Sequence, residues 1–408
     1  MVKFGIIGNG IAGVTAARTV SAAIPGAQIE IYTDESHPYY LRPRLISFLG
    51  ALLRQEDIYQ YPPEWYANRG IVVHLGTRVA ELDVPGKRLL LEDGGKASYD
   101  RLLLAMGSRP FLPPLEGIDK EGVFTLRSIE DALAIKRYAE ECLSAGSREA
   151  VVMGGGLMGL ESANALTSLG LQVTVLERGP WPLPRQVDQE GGVVLQEQIE
   201  RLGIHFILGA VSEAILGNDG VSGVLLQNGM TVPAGLVLCS AGVRPSVDLA
   251  KRAGLAVNKG VLVDNQMRTS AEHVYASGDV AEWEGKLPCI IPVAVEQARV
   301  AAANMVEPGS ATYHGTVPST TLKVVGVDLA SIGVIAPQEE GYEELRKVTP
   351  DKGVYQKLVL RDGRIVGAIL LGDKKRVPPV SRLIKQGTDV SAYRHRLLAD
   401  DFHLETIA

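Results

Sequence analysis

Cysteine is scarce in this chain: Cys142, Cys239 and Cys289 are the only three in 408 residues, and they lie far apart. No Cys-x-x-Cys or Cys-x4-Cys spacing occurs, which excludes a redox-active dithiol and a cysteine-held iron–sulfur cluster within the chain. All three read as buried small hydrophobes. Excess positive charge is missing too. A net charge of −6 gives no argument for a nucleic-acid partner, and no low-complexity tract suggests a disordered tail. Nor is there an uninterrupted apolar run. The longest charge-free stretch, residues 220–243, carries Ser222, Gln227, Asn228, Thr231, Pro233 and Ser240 and breaks at Asn228-Gly229. It reads as two strands around a turn rather than a membrane span. The first apolar strand begins at residue 2, which leaves no space for a signal peptide, so the expected location is cytoplasmic.

What is present is glycine in two matching places. Val2, Phe4, Ile6 and Ile7 form an apolar strand that runs into Gly8-x-Gly10-x-x-Gly13, with helical sequence over residues 15–23. This order of strand, glycine turn and helix is what a dinucleotide pyrophosphate requires. Gly8 permits the tight turn, Gly10 the close approach of backbone to phosphate, and Gly13 the packing of helix on sheet. The unit recurs. Residues 150–153 form a strand, Gly154-x-Gly156-x-x-Gly159 a turn, residues 160–169 a helix, and residues 173–177 a second strand ending in Glu177. That carboxylate, roughly 20 residues beyond the turn, suits an adenosine ribose. Two such turns imply two dinucleotides.

Length and composition, with 46% apolar and 22% charged residues, predict an ordinary folded protein of two or three domains. Residues 28–32 continue the first unit as a strand, and by register with Glu177 the ribose position falls on Thr33. The acid is therefore Asp34 or Glu35. The basic, aromatic loop that follows, Tyr39-Tyr40-Leu41-Arg42-Pro43, offers Arg42 to a pyrophosphate. Residues 71–91 alternate as short antiparallel strands, and residues 102–110 form an apolar strand closed by Ala105-Met106-Gly107. Proline clusters at Pro110, Pro113 and Pro114, and again Gly242-Val243-Arg244-Pro245, mark crossovers between domains. Ser128 N-caps a helix over residues 128–141, with Asp131 three residues on. The second unit thus reads as inserted into the first. Beyond about residue 311, strands at 322–325, 355–360 and 365–371 predict a separate antiparallel α+β domain.

These stretches, together with Tyr275-Ala276-Ser277-Gly278-Asp279, resemble the FAD-dependent pyridine nucleotide oxidoreductases of glutathione-reductase-like fold over nearly the whole chain. Within that superfamily, Gly154 to Glu161, residues 322–333 and residues 367–373 are similar to NADH:rubredoxin reductases and to the flavoprotein part of NADH-dependent nitrite reductases. The resemblance implies an α/β fold with two Rossmann-like domains and a C-terminal α+β domain. The FAD domain would span residues 1–112 and 241–312, the NAD(H) domain 113–240, and the C-terminal interface domain 313–408. No siroheme- or cluster-binding extension follows, so nitrite reduction is not expected of this chain alone. The single redox cysteine of NADH oxidases and peroxidases is missing from residues 44–50, which weakens that reading; an oxidase or peroxidase stays as the alternative because reduced flavin reacts with oxygen.

The resemblance also assigns residues. Gly8, Gly10, Ile11, Ala12, Gly13, Asp34 or Glu35, Arg42, Pro43, Val79, Ala105, Met106, Gly107, Arg109, Gly278, Asp279 and Gln297 would hold FAD. Val79 would pass the adenine and Asp279 would accept from the flavin side chain. Gly154, Gly156, Leu157, Met158, Gly159, Glu177 and Gly242 would hold NADH. Glu177 disfavours the extra phosphate of NADPH, although Arg178 could receive it. Glu161, placed on the first turn of the second helix, is the catalytic candidate facing the two cofactors. Its usual lysine partner is replaced by Ser47. No metal is expected. The implied partner is a small acidic electron acceptor such as rubredoxin, steered by Lys374, Lys375, Arg376, Arg382, Lys385, Arg394 and Arg396. A homodimer is left open. An alternative role is electron entry in a larger redox complex.

Overall fold

A computed structural model describes residues 2–316, 319–324 and 326–407. Met1 of the first strand, Val317 and Pro318 of the C-terminal domain, Val325 of the 322–333 stretch, and Ala408 lie outside the described residues. The chain divides into two compact units. The first comprises residues 1–48, 53–110 and 243–316, and the second 49–52, 111–242 and 317–408.

In the first unit five parallel strands run in the order Val274–Ala276, Arg101–Leu104, Lys3–Ile7, Gln28–Tyr32, Ile71–His74. Side chains alternate between the two faces of such a sheet, and both faces are covered. Phe4, Ile6 and Leu103 enter one apolar cluster with helices Ile11–Ala23 and Ile291–Val306, whereas Ile7, Leu102 and Leu104 enter the other. The strand Ile71–His74 corrects one expectation: it is a parallel edge strand of this sheet. Only Val79–Asp83, Arg88–Leu91 and Lys96–Ser98 form the antiparallel meander foreseen for that region.

The second unit repeats the plan. Its parallel sheet runs Val123–Phe124, Leu236–Cys239, Glu149–Met153, Gln172–Glu177, His205–Leu208, which is the same order with the glycine-turn strand again in the middle. Its meander, Ser212–Leu216, Gly223–Leu226 and Thr231–Pro233, turns at Asn228-Gly229 as the sequence suggested. Helix Ile129–Ser144 starts at a reciprocal cap. The Ser128 hydroxyl accepts from the Asp131 N–H, and Asp131 accepts from the Ser128 N–H at 2.9 Å.

The same unit holds a five-stranded antiparallel sheet ordered Ser319–Val324, Val327–Gly333, Arg364–Leu371, Val354–Arg361, Tyr342–Thr349, with helix Val377–Gln386 against it. Two of these strands, Val327–Gly333 and Tyr342–Thr349, were not foreseen. A buried charge cluster ties this sheet to helix Gln189–Glu200. Lys357, 2% exposed, bridges Asp188 at 3.0 Å and Glu344 at 2.9 Å, and the Tyr355 hydroxyl donates to Asp188 at 2.7 Å. Burial pushes the Asp188 carboxyl up, but the bonds from Tyr355, Lys357 and the Gly191 N–H outweigh it and hold it below the usual carboxylate range.

Candidate dinucleotide sites

The first turn is tight for an internal reason. Gly8 has φ of +112°, and a Cβ there would fall 2.2 Å from the Ala105 carbonyl oxygen. A Cβ on Gly13 would fall 2.0 Å from the Gly8 oxygen, so the helix can approach the strand only without one. Gly10 differs. It N-caps helix Ile11–Ala23 at an ordinary φ of −87°, and nothing lies within 4 Å of an added Cβ. Neither backbone strain nor the protein's own packing asks for glycine there, so the face at the helix N-terminus is open and can accept an anionic group from outside. Beside it, Asn9 Oδ1 is buried without a hydrogen-bond partner.

The cleft at this turn is lined by Asn9, Gly10, Thr33, Glu35, His37, Pro38, Tyr40 and Arg42. Thr33 is buried and Asp34 exposed; between the two acids left open by the sequence, the one that lines the cleft is Glu35. Its carboxylate accepts from Arg42 Nη2 at 2.5 Å and from the Tyr40 hydroxyl. Burial works against the charge on Arg42, but Glu35, Tyr40 and Asp279 outweigh it and raise the guanidinium above its ordinary value. Pro43, next along, is exposed, and Val79 is buried at the start of the meander. Ile11 and Ala12 open the helix, and Ala12 lies against Gly278, whose added Cβ would sit 3.1 Å from the Ala12 Cβ. The Gly278 N–H is held by buried Gln297 at 3.0 Å, and Asp279 accepts from the Ser108 hydroxyl at 2.6 Å. Ala105 and Met106 lead into Gly107 at φ of +68°. Arg109 instead faces an exposed pair with Asp248 at 2.5 Å.

The second turn repeats these dimensions. Gly154 has φ of +116°, with a Cβ position 2.5 Å from the Ser240 oxygen; that on Gly159 lies 1.9 Å from the Gly154 oxygen. Gly156 caps helix Leu157–Ser168 at φ of −74°, again with nothing within 4 Å. Gly242, at φ of +101°, turns the chain just beyond the neighbouring strand Leu236–Cys239, as Gly107 does beyond Arg101–Leu104 in the first unit. Leu157 and Met158 open the helix, with Met158 exposed. Glu177 takes the Gly155 N–H on one oxygen and the Gly179 N–H on the other, both at 2.6 Å. The loop beyond it adds a part the sequence hid. Leu183, buried at φ of +53°, donates its N–H to the Gly155 oxygen at 3.1 Å. Arg178 is exposed.

Three expectations change. Because the second helix starts at Leu157, Glu161 stands one turn further in than expected, outside the stretch where the helix dipole most favours an acid. Cys142 and Cys239 are buried, with the Cys239 thiol pushed up to about 12 by burial, but Cys289 is only half-buried. The C-terminal cations do not form one patch. Arg376 is buried and donates to the Leu397 and Ala399 carbonyls, Arg382 to the Ile407 carbonyl, and Arg394 and Arg396 pair with Glu343 and Asp401. Lys374, Lys375 and Lys385 stand exposed. Among the described residues there is no group of acids, histidines and cysteines that could hold a metal, and no helix long and apolar enough to cross a membrane.

Two sheets of one plan, each with an open glycine turn at its central strand, give the chain a doubled Rossmann-like scaffold. The chain belongs to the pyridine nucleotide-disulphide oxidoreductase family, whose model matches residues 3–303, and residues 318–388 match the rubredoxin NAD+ reductase C-terminal domain. Membership implies use of a flavin and of NAD(P)H. It is 35% identical to a nitrite reductase [NAD(P)H] of Bacillus subtilis (strain 168), over 95% of this chain and 47% of that one, so it spans about half of that relative's length. It is 33% identical to the ferredoxin–NAD(+) reductase component of the biphenyl dioxygenase system of Paraburkholderia xenovorans (strain LB400), over 95% and 94% of the two chains. The crystal structure of NADH:rubredoxin oxidoreductase from Clostridium acetobutylicum superposes with a TM-score of 0.77 at 28% identity, covering 95% of this chain and 96% of that one.

Proposed function

We propose that the chain binds FAD at the first turn and NADH at the second, and passes electrons from NADH to a small redox protein such as rubredoxin. The observation that carries this reading is the pair Gly10 and Gly156: each caps a helix with ordinary φ, and each faces space that no protein atom fills. Bound flavin would supply the conversion of a two-electron hydride into single electrons, which needs no cysteine pair. The residues hold and orient. Gly10 and the N–H groups of Ile11 and Ala12 would take the FAD pyrophosphate with Arg42, and Glu35 the adenosine ribose. Ala105, Met106, Gly107, Gly278, Asp279 and Gln297 form the bed for the flavin end. Gly156, Leu157, Met158 and Gly159 would take the NADH pyrophosphate, with Glu177 at its ribose, and Glu161 is the acid proposed to act near the nicotinamide. NADH is favoured over NADPH because a carboxylate tied to its own turn cannot swing away from a 2′-phosphate.

The match to rubredoxin reductase C-terminal domains supports the acceptor class, and the exposed Lys374, Lys375 and Lys385 supply the positive charge that an acidic acceptor would meet. That the chain spans 47% of a nitrite reductase favours a second reading, electron entry for a larger redox assembly. The test is anaerobic stopped-flow mixing of the flavin-loaded chain with NADH, then with oxidised rubredoxin or with air. Fast bleaching followed by fast rubredoxin reduction is expected. Fast oxygen turnover without rubredoxin reduction would make it an oxidase, and fast bleaching with neither acceptor would favour the assembly.

A further inference from the structure

We infer that Ser108 is a positioning residue for the flavin, acting through Asp279; the inference rests on the FAD reading above. Asp279 follows Gly278, whose φ of +78° turns the chain sharply out of strand Val274–Ala276. The backbone of that turn is pinned from one side, where the Gly278 N–H meets Gln297, 1% exposed. The side chain is pinned from another. Ser108 is 5% exposed and donates its hydroxyl to Asp279 Oδ2 at 2.6 Å, across 171 positions of sequence. A bond of this length to a carboxylate is charge-assisted and directional.

Ser108 is itself held. It opens strand Ser108–Pro110, directly after Gly107, and is paired with Pro245 of strand Val243–Pro245. The bond therefore joins the turn at Gly107 to the turn at Gly278, the two positive-φ corners beside the first glycine motif. A carboxylate only accepts, so the hydroxyl groups of a flavin side chain are suitable partners for it, while phosphate oxygens are not. By occupying one side of Oδ2, Ser108 fixes the rotation of the carboxylate and so the direction in which Asp279 accepts. A sequence reading stops at Asp279, because nothing in residue order links it to Ser108.

The test is FAD binding by the deflavinated full chain, followed through quenching of flavin fluorescence, with the melting temperature of the same apo chain as control. Ser108→Ala should weaken FAD about tenfold, the loss of one hydrogen bond to a charged group, without moving the apo melt. Ser108→Thr, which keeps the hydroxyl, should restore affinity to within about threefold. In an Asp279→Ala background, Ser108→Ala should cost nothing further, because the serine acts through the missing carboxylate. A parent chain that binds no FAD overturns the flavin reading and this inference with it. A parent that binds FAD, with Ser108→Ala binding equally well, overturns this inference alone. So does an additive loss in the Asp279→Ala background, or a loss that follows a lowered melt and is not recovered by threonine.

Discussion

The two glycine turns are built to the same dimensions and wired differently. Gly8 and Gly154 each donate their N–H at 2.8 Å to a carbonyl near the end of the neighbouring strand, that of Tyr32 and that of Leu176. At the next position the chains diverge: the first unit has buried Thr33, the second has Glu177, which both Gly155 and Gly179 hold by their N–H groups. In the first unit the acid comes two residues later, as Glu35, and its partners are side chains, Arg42 and Tyr40. A carboxylate fastened to backbone is part of the turn's own rigidity, whereas one held by an arginine and a phenol can exchange partners when a ligand with phosphates and hydroxyls arrives. The glycines thus make two turns of one shape, proposed above to cradle pyrophosphate, and the acid beyond the strand distinguishes one from the other.

The largest expected effects separate the turns outright. Gly13→Ala should weaken FAD by up to about a hundredfold, since its Cβ would meet the Gly8 oxygen and overpacking of this kind costs about 1–3 kcal/mol even after relaxation. Gly159→Ala should leave flavin bound and remove NADH binding instead. Flavin-to-protein ratios and NADH titrations on both variants check this, and loss of both ligands in either one would break the comparison.

Next is Glu177→Ala. It strands two N–H groups and removes the ribose acceptor, so KM for NADH should rise about thirtyfold, with the value for NADPH changed far less. Smaller still, Glu35→Gln should weaken FAD about tenfold, while Asp34→Asn stays within about twofold, measured by the same flavin fluorescence. Equal effects of the two would show that the cleft does not select between the acids.

The smallest effect concerns stability. Asp188 and Glu344 are both held below the usual carboxylate range: burial opposes this in each, and it is outweighed at Asp188 by Tyr355 and Lys357 and at Glu344 by Lys357 and Arg346. Groups depressed in the folded state stabilise it above their unfolded pKa, and that contribution is lost as pH falls through the folded value. Melting temperature should therefore fall between about pH 5 and pH 3. Lys357→Met removes the cation that depresses both carboxyls and should shrink that fall, and an unchanged profile would show that the cluster contributes nothing.

Much of this architecture is legible in residue order because it is local. A strand, three spaced glycines and a helix are contiguous, and the Ser128–Asp131 cap needs only four residues. Ile71–His74 was misread because an edge strand of a parallel sheet is buried on one face only, with Ile71 inside and Val72 half exposed, which mimics an antiparallel hairpin. Tyr342–Thr349 hides for a related reason: Glu343, Glu344, Arg346 and Lys347 are good helix formers, and an edge position lets them pair outward or with Lys357 instead of packing. At the sites, the glycines and Glu177 can be read in line. The choice of Glu35 over Asp34, the Ser108 bond and the Leu183 loop depend on contacts between distant segments.

Flavin and NADH are proposed to occupy different turns. Anaerobic stopped-flow mixing of the flavin-loaded Gly159→Ala variant with NADH, beside the parent chain, tests it most directly. Full bleaching of the parent, no bleaching of the variant by NADH, and normal bleaching of the variant by dithionite are expected. A variant that NADH bleaches as fast as the parent would contradict it.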